Sequence, residues 1–411
     1  MTTNTTTAAP IDTPPVAPTA GPSPRFGGGT LVLLLVPLVL LAGIVALFAF
    51  TDGAGLNVEP AAPIETIQFE RTVLNPGEIT LNIRNTSQRD VNIAQVNIND
   101  AIWPFTTTSN PIPRLATAKV TLRYPWVEGE AYALSLLSSN SVAFGTDIEV
   151  ATETATASSK TLWSFTLVGI YVGIIPVVLG MLWLPALRQL GPRAMMFLMA
   201  LTVGLLIFLG IDAVNEAFEL GGEIGGPFQG VGLLGIGAVG TFLLLDAVGR
   251  RQATIGRSGA GKRMSLALTI AVGIGLHNLG EGLAIGAAYS IGAAALGAFL
   301  VIGFIIQNIT EGLGIIVPVA KDSPSLRSLA LLAFIGGAPA IIGAWIGGLV
   351  SSQPLSLLFL AIGAGAVFQV AYAIGTEMVW RKDAKHQMPL TVFSGVTAGM
   401  LALYITGVIV K

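Results

Sequence analysis

Hydrophobic side chains run in long unbroken blocks over most of the chain, and a single stretch alternates instead. Nine blocks are long and apolar enough to form a helix across a hydrocarbon core, which needs about 20 residues. The first covers residues 30–51, and eight more follow: roughly Leu162 to Leu184, Met195 to Ala217, Phe228 to Val248, Leu266 to Tyr289, Ala293 to Val319, Leu326 to Val350, Leu355 to Met378 and Met388 to Val410. Between Ile64 and Val150 the period shortens. Runs such as Ile79-Thr80-Leu81-Asn82-Ile83 and Val91-Asn92-Ile93 alternate apolar and polar positions between Asn-Pro-Gly and Asn-Thr-Ser turns, the pattern of strands with one buried face. The pattern predicts a mostly α-helical membrane protein. Residues 1–29, rich in Thr, Pro and Ala, read as a disordered tail, residues 30–51 as an anchor transmembrane helix, and residues 63–151 as a small antiparallel β-sandwich. Residues 152–160, rich in Thr, Ala and Ser, read as a linker, and residues 161–411 as an eight-span bundle. The run Leu31 to Phe50 resembles a signal peptide, but the long tail before it and the lack of a small-residue cleavage site favour an uncleaved anchor.

Composition agrees with this division. Hydrophobic residues make up 53% of the 411 positions and charged residues only 11%, against roughly 25% charged in soluble domains. There are no cysteines, which excludes disulfides, thiolate metal sites and iron–sulfur clusters. His277 and His386 are the only histidines, so a bis-histidine haem is implausible, and no prosthetic group or nucleic-acid partner is expected. Charge placement says more than the net value of -2. Arg188 and Arg193, then Arg250, Arg251, Arg257, Lys262 and Arg263, then Lys321 and Arg327, then Arg381, Lys382 and Lys385 fall in every second loop, while the loops between carry no Lys or Arg. The positive-inside rule makes those basic loops cytoplasmic. The expectation is a multi-pass protein of the cytoplasmic membrane, with its N-terminal tail inside and its β-domain and C-terminus outside.

Ionisable side chains at bilayer depth are costly, so each is a functional hypothesis. Two neighbouring spans carry most of them. One reads His277-Asn278-Leu279-Gly280-Glu281-Gly282-Leu283 and the next Gln307-Asn308-Ile309-Thr310-Glu311-Gly312-Leu313. Each places a coordinating residue four positions before a glutamate, hence on one helical face about a turn apart. With a short turn at Ile291 to Ala295, the two helices fold back as an antiparallel hairpin. Taking Ala294 as hinge, His277 comes level with Glu311 and Glu281 with Gln307, about 20 Å of helix rise from the turn and near the bilayer midplane. An imidazole, two carboxylates and amide oxygens suit zinc, iron(II), manganese(II) or cadmium rather than copper(I), which prefers sulfur. A divalent cation would also compensate two glutamates in low dielectric. Asn278 and Asn308 project about 100° from these clamps, where they could serve a second ion bridged by Glu281 and Glu311. The repeated Asn-x-x-Glu-Gly-Leu is the kind of internal symmetry found in inverted-repeat transporters. The competing bland readings are a structural His-Glu ion pair and a proton relay.

These two segments resemble the fourth and fifth helices of the ZIP family of divalent-metal transporters, whose fourth helix carries His-Asn-x-x-Glu-Gly and whose fifth carries His or Gln, then Glu, Asp or Asn, then x-Pro-Glu-Gly. The resemblance spans about 250 residues of the eight-span region. It implies that His277, Glu281, Gln307 and Glu311 hold the primary metal, most readily zinc, as substrate, with Asn278 and Asn308 joining the shared glutamates. It also implies import to the cytoplasm and a homodimer. Asp212-Ala213-Val214-Asn215-Glu216-Ala217 is similar to the family's His-Leu-Leu-Pro-Glu-Ala, and the segment holding Glu377 to its Asp-Glu-Leu-Ile-Pro. Asp212 and Glu216 near the external mouth, and Asp246 and Glu377 near the cytoplasmic ends, are therefore candidate pathway residues; helix-end charges reaching water are the plain alternative. The chain departs from the pattern at Thr310, where the family usually has proline, and at Ala338-Pro339, where bacterial members often have Glu-Pro. The loop before the fourth core span also lacks the family's histidine cluster. The opening of the β-domain, with Phe69, Asn75-Pro76-Gly77-Glu78 and Asn85, resembles the cupredoxin fold without its His and Cys copper ligands. That module is expected to bind an unknown ligand or partner, or to be structural; packing alone accounts for Trp103, Phe105 and Trp126. The rival to a transporter is a non-transporting receptor or scaffold that uses the β-domain. A membrane hydrolase is disfavoured because no nucleophile is paired with a base, so no enzymatic activity is expected.

Overall fold

The computed structural model describes residues 28–50, 65–154, 157–253, 259–290, 294–350, 352–380 and 389–410. The tail expected over residues 1–29 lies outside these except for its last two positions, and so do residues 291–293 of the expected hairpin turn. Helix α1, Gly28–Phe50, is apolar all round and holds Pro37 in its interior. It belongs to a separate unit from everything after residue 63 and is described by itself.

The alternating segment forms eight strands: β1 Ile67–Asn75, β2 Glu78–Asn85, β3 Ile93–Ile98, β4 Ala101–Trp103, β5 Phe105–Thr107, β6 Thr117–Leu122, β7 Tyr132–Ser138 and β8 Ala143–Ile148. They make two four-stranded antiparallel sheets, ordered β1-β2-β6-β5 and β4-β3-β7-β8. Period two explains why they pack. In β2, Ile79, Leu81 and Ile83 are fully buried, and with Val96, Val120, Leu122, Leu134 and Leu136 they fill one apolar core. Thr80, Asn82 and Arg84 take the opposite face. The β1–β2 turn runs through Gly77 at φ 74°, a left-handed conformation that costs glycine little. The tryptophans serve this packing: Trp103 meets the Tyr124 ring edge-on at 5.0 Å, and Trp126 donates from Nε1 to Asn75 O. Part of the stretch read as a linker is tied down, since Leu74 N donates to Thr154 Oγ1 and Thr154 N to Leu74 O.

Among the described residues eight helical spans follow that are long and apolar enough to cross a membrane. The first is built from α2 Ser159–Gly169, a π-helical segment Ile170–Ile174, α3 Ile175–Met181 and α4 Leu184–Leu187. Helix α2 starts inside the expected linker because Ser158 caps it, accepting from Thr161 N at 3.1 Å. The next four are α5 Pro192–Glu223, α6 Gly230–Ala253, α7 Gly259–Ser290 and α8 Ala294–Ile316. The sixth is split into α9 Leu326–Gly337 and α10 Pro339–Leu349, and α11 Gln353–Trp380 and α12 Pro389–Val410 complete the set. A proline has no N–H to offer the carbonyl four residues back and crowds it, which accounts for the break at Pro339 and, through Pro176, for the irregular first span.

The spans pack as two sets. One joins α7 to α10 and α8 to α3; the other joins α5 to α11 and α12, and α6 to α11; α7 and α11 hold the sets together. Close approach depends on small residues, as in other helix bundles in lipid: a Cβ on Gly282 would lie 2.1 Å from Ala340 O. At the end of the bundle away from the β-sheets, Arg263 grips Asp322 through two nitrogens, and Lys321 Nζ donates to Arg188 O and Leu190 O at 2.6 and 2.8 Å.

Candidate metal centre

The middle of α7 and α8 carries a cluster of buried polar side chains. One ligand atom from each of His277, Glu281 and Glu311 can be chosen so that all three lie within 4.8 Å of one another. His277 Nε2 stands 3.5 Å from Glu281 Oε1. Gln307 Nε2 reaches between them, donating to Glu281 Oε1 and lying 3.3 Å from His277 Nε2. Asn308 Nδ2 donates to Glu281 Oε2 at 2.9 Å. The contact of Glu281 with Gln307 is the one that equal spacing on either side of Ala294 would produce. Thr310, at the position expected to hold proline in a ZIP-like helix, turns its hydroxyl to Gln307 O at 2.6 Å, and α8 runs on without interruption.

The asparagines are held from outside the hairpin. Asn308 Nδ2 also donates to Val172 O in the π-helical segment, and Asn278 Nδ2 donates to Gly336 O at the end of α9, each at 2.9 Å. A carbonyl can only accept, so the NH2 ends must face these partners and the amide oxygens must face away. The α-helical donor to Val172 O would be residue 176, a proline, and the break before Pro339 lies beside Gly336. Two irregular spans thus provide the acceptors that fix two side chains of the cluster. These carbonyls escaped the sequence reading; Pro176 signals the first, whereas Pro339, which leaves Ile335 O without its helical donor, signals only a break near the second.

Within this cluster four buried acceptors have no hydrogen-bond partner, namely Asn278 Oδ1, Asn308 Oδ1 and both carboxylate oxygens of Glu311; elsewhere among the described residues Glu65 Oε2 and Gln369 Oε1 share that condition. Buried polar groups are nearly always satisfied, and leaving a carboxylate without a donor or a cation is expensive. All four are oxygens. A set of buried oxygens beside an imidazole asks for something positive.

Asp212 and Glu216 line a cleft of about 30 Å³ together with His277, Glu281 and Gln307. Its remaining walls, including Ala284, Phe304 and Phe359, lie level with the cluster or on the side of the β-sheets. On the other side, Ile270, Ile274, Ile316, Val367 and Val370 are buried in apolar packing. The other two pathway candidates stand apart. Asp246 accepts from Arg250 Nε at 2.7 Å one turn on, and Glu377 is exposed near the far end of α11. No protein-family model matches the chain.

Proposed function

We propose that the chain carries a divalent transition-metal ion, zinc most readily, with iron(II), manganese(II) and cadmium as further candidates, across the cytoplasmic membrane towards the cytoplasm, as the ZIP-like motifs imply. The ion is substrate, held by His277, Glu281, Gln307 and Glu311, with Asn278 and Asn308 adding amide oxygens. The observation that carries this reading is the buried His277–Glu281–Glu311 triad, whose Glu311 carboxylate makes no well-formed hydrogen bond although the Gln307 and Asn278 amides lie near it. Turning the Gln307 amide over would offer Oε1 in place of Nε2. Two carboxylates and one imidazole give a borderline-to-hard donor set at a depth where only a cation makes both glutamates tolerable. Asp212 and Glu216 supply negative charge along the adjoining cleft, which draws cations to the triad. A split sixth span beside the cluster fits transporters that place discontinuous helices at their substrate site.

Proteoliposomes containing the full chain test the proposal. They should accumulate zinc, and Glu281→Ala should abolish uptake while the protein still elutes as a folded species. Wild-type protein that takes up and binds none of zinc, iron, manganese or cadmium would favour the receptor or scaffold reading.

A further inference from the structure

The outer face of the sheet β1-β2-β6-β5 does not face open solvent everywhere; it leans on the bundle. Gln68 bridges two of its elements, donating from Nε2 to Gln353 Oε1 at 2.6 Å and accepting from Gly225 N at 3.3 Å. Two residues up the sheet, strand register aligns Arg71 with Asn82 and Asn82 with Lys119. These three lie in a row across β1, β2 and β6, close enough for their side chains to interact. They occupy the face opposite the core, since Leu81 and Ile83 on either side of Asn82 are fully buried.

Between this row and the end of α10 lies an open cleft of about 390 Å³, within the roughly 300 to 1,000 Å³ of small-molecule sites. Arg71 and Lys119 provide its cations, and Leu349 and Val350 close it from the bundle side. Its one acid is already engaged: Glu70 accepts from Arg84 Nε, and the Arg84 guanidinium lies 5.8 Å from the centre of the Phe228 ring. Arg71 gives Nη1 to Leu349 O at 2.9 Å. Neither Arg71 nor Lys119 forms an ion pair among the described residues. Burial holds the Arg71 guanidinium below its usual range, a desolvation cost that no carboxylate offsets.

Position narrows the choice of anion. Leu349 ends an apolar span, so the cavity opens where hydrocarbon gives way to headgroups. It has an apolar wall on the membrane side and cations on the sheet. Guanidinium and ammonium groups bind phosphate oxygens strongly, and headgroup phosphates are the anions a bilayer presents at the edge of its hydrocarbon core. The loops that join spans at this end of the bundle carry no Lys or Arg, and Lys160 stands in the first turn of α2. We propose that the seam between this sheet and the end of α10 binds a phosphate group, carried on the headgroup of an anionic phospholipid, through Arg71 and Lys119. The proposal does not depend on whether the bundle transports metal.

The test titrates delipidated full-length protein with short-chain phosphatidylglycerol, short-chain phosphatidylcholine or inorganic phosphate, reading adducts by native mass spectrometry. Phosphatidylglycerol should be retained about tenfold more strongly than phosphatidylcholine, a difference of roughly one decade in Kd. The pair Arg71→Gln with Lys119→Gln should remove that preference, whereas Arg114→Gln, at an exposed position elsewhere in the β region, should leave it. Lys119→Gln alone alters an exposed side chain and should weaken retention severalfold even if the Arg71 variant fails to fold. Inorganic phosphate that binds and is lost in the double variant, without lipid retention, would overturn the lipid and leave a free phosphate as the ligand. Equal retention by wild-type and Lys119→Gln protein, or no phosphate-bearing adduct at all, would overturn the site.

Discussion

The β region and the bundle fill their interiors in opposite ways. Between the two sheets the buried side chains are overwhelmingly aliphatic, with Ile79, Leu81, Ile83, Val96 and Val120 at no measurable exposure, and burial of apolar surface from water drives that packing. Lipid gives the bundle little such drive, because its surroundings are as apolar as its contacts. Its helices meet through small residues such as Gly282, and its centre holds His277, Asn278, Glu281, Asn308 and Glu311. One interior is optimised for stability. The other carries groups that stability alone would not choose, and those are the groups on which the proposed function rests.

Mutations that exchange the two logics sharpen the contrast. The largest effect should come from Glu281→Gln with Glu311→Gln. Zinc uptake should fall to background, a loss of roughly a thousandfold or more, since two carboxylates leave the donor set. The melting temperature should hold or rise, because neutral amides remove a buried-charge cost; a collapse in stability would mean that the acids are structural. Asn308→Ala should come next, weakening zinc binding about 10- to 100-fold in a competition assay, the usual cost of losing an orienting partner, since it frees both Glu281 Oε2 and Val172 O. Unchanged affinity would remove Asn308 from the site. Ile83→Val should do the reverse, costing about 0.5–1.5 kcal/mol in denaturation while leaving uptake per folded molecule unaltered.

The smallest effect is a pH dependence. Tyr132 is buried in the β region, and that burial, reinforced by the Glu130 carboxylate that accepts its hydroxyl, raises its phenol above the ordinary value of 10.0. The neutral phenol is therefore favoured in the folded state. Its stabilisation is complete below the unfolded pKa near 10 and is lost as pH climbs through the higher folded value. Denaturation midpoints followed from pH 8 to 11 should decline less steeply in Tyr132→Phe than in the wild type.

What could be read from the sequence follows the range of the interactions involved. The alternation from Ile79 to Ile83 is a property of neighbouring residues, and strands with one buried face appear where it predicts them. The eight long apolar helices are likewise local features. The meeting of Glu281 with Gln307 needed only counting outward from Ala294, because a hairpin is the shortest-range tertiary contact two helices can make. The acceptors for Asn278 and Asn308 were hidden for the opposite reason: Gly336 and Val172 lie 58 and 136 residues away, and a proline announces a break without saying which side chain will use it. The seating of Gln68 and Arg71 on Gln353 and Leu349 bridges still larger separations, 285 and 278 residues.

The links from Asn308 to Val172 and from Asn278 to Gly336 give the cluster a mechanical property. Each amide is tethered to a span other than its own, so a slide of the first or sixth span by a fraction of a turn would pull a donor off its carbonyl and swing an oxygen out of line. Grip on a cargo would then depend on where two neighbouring helices stand. Letting go would need no change in protonation, only a displacement.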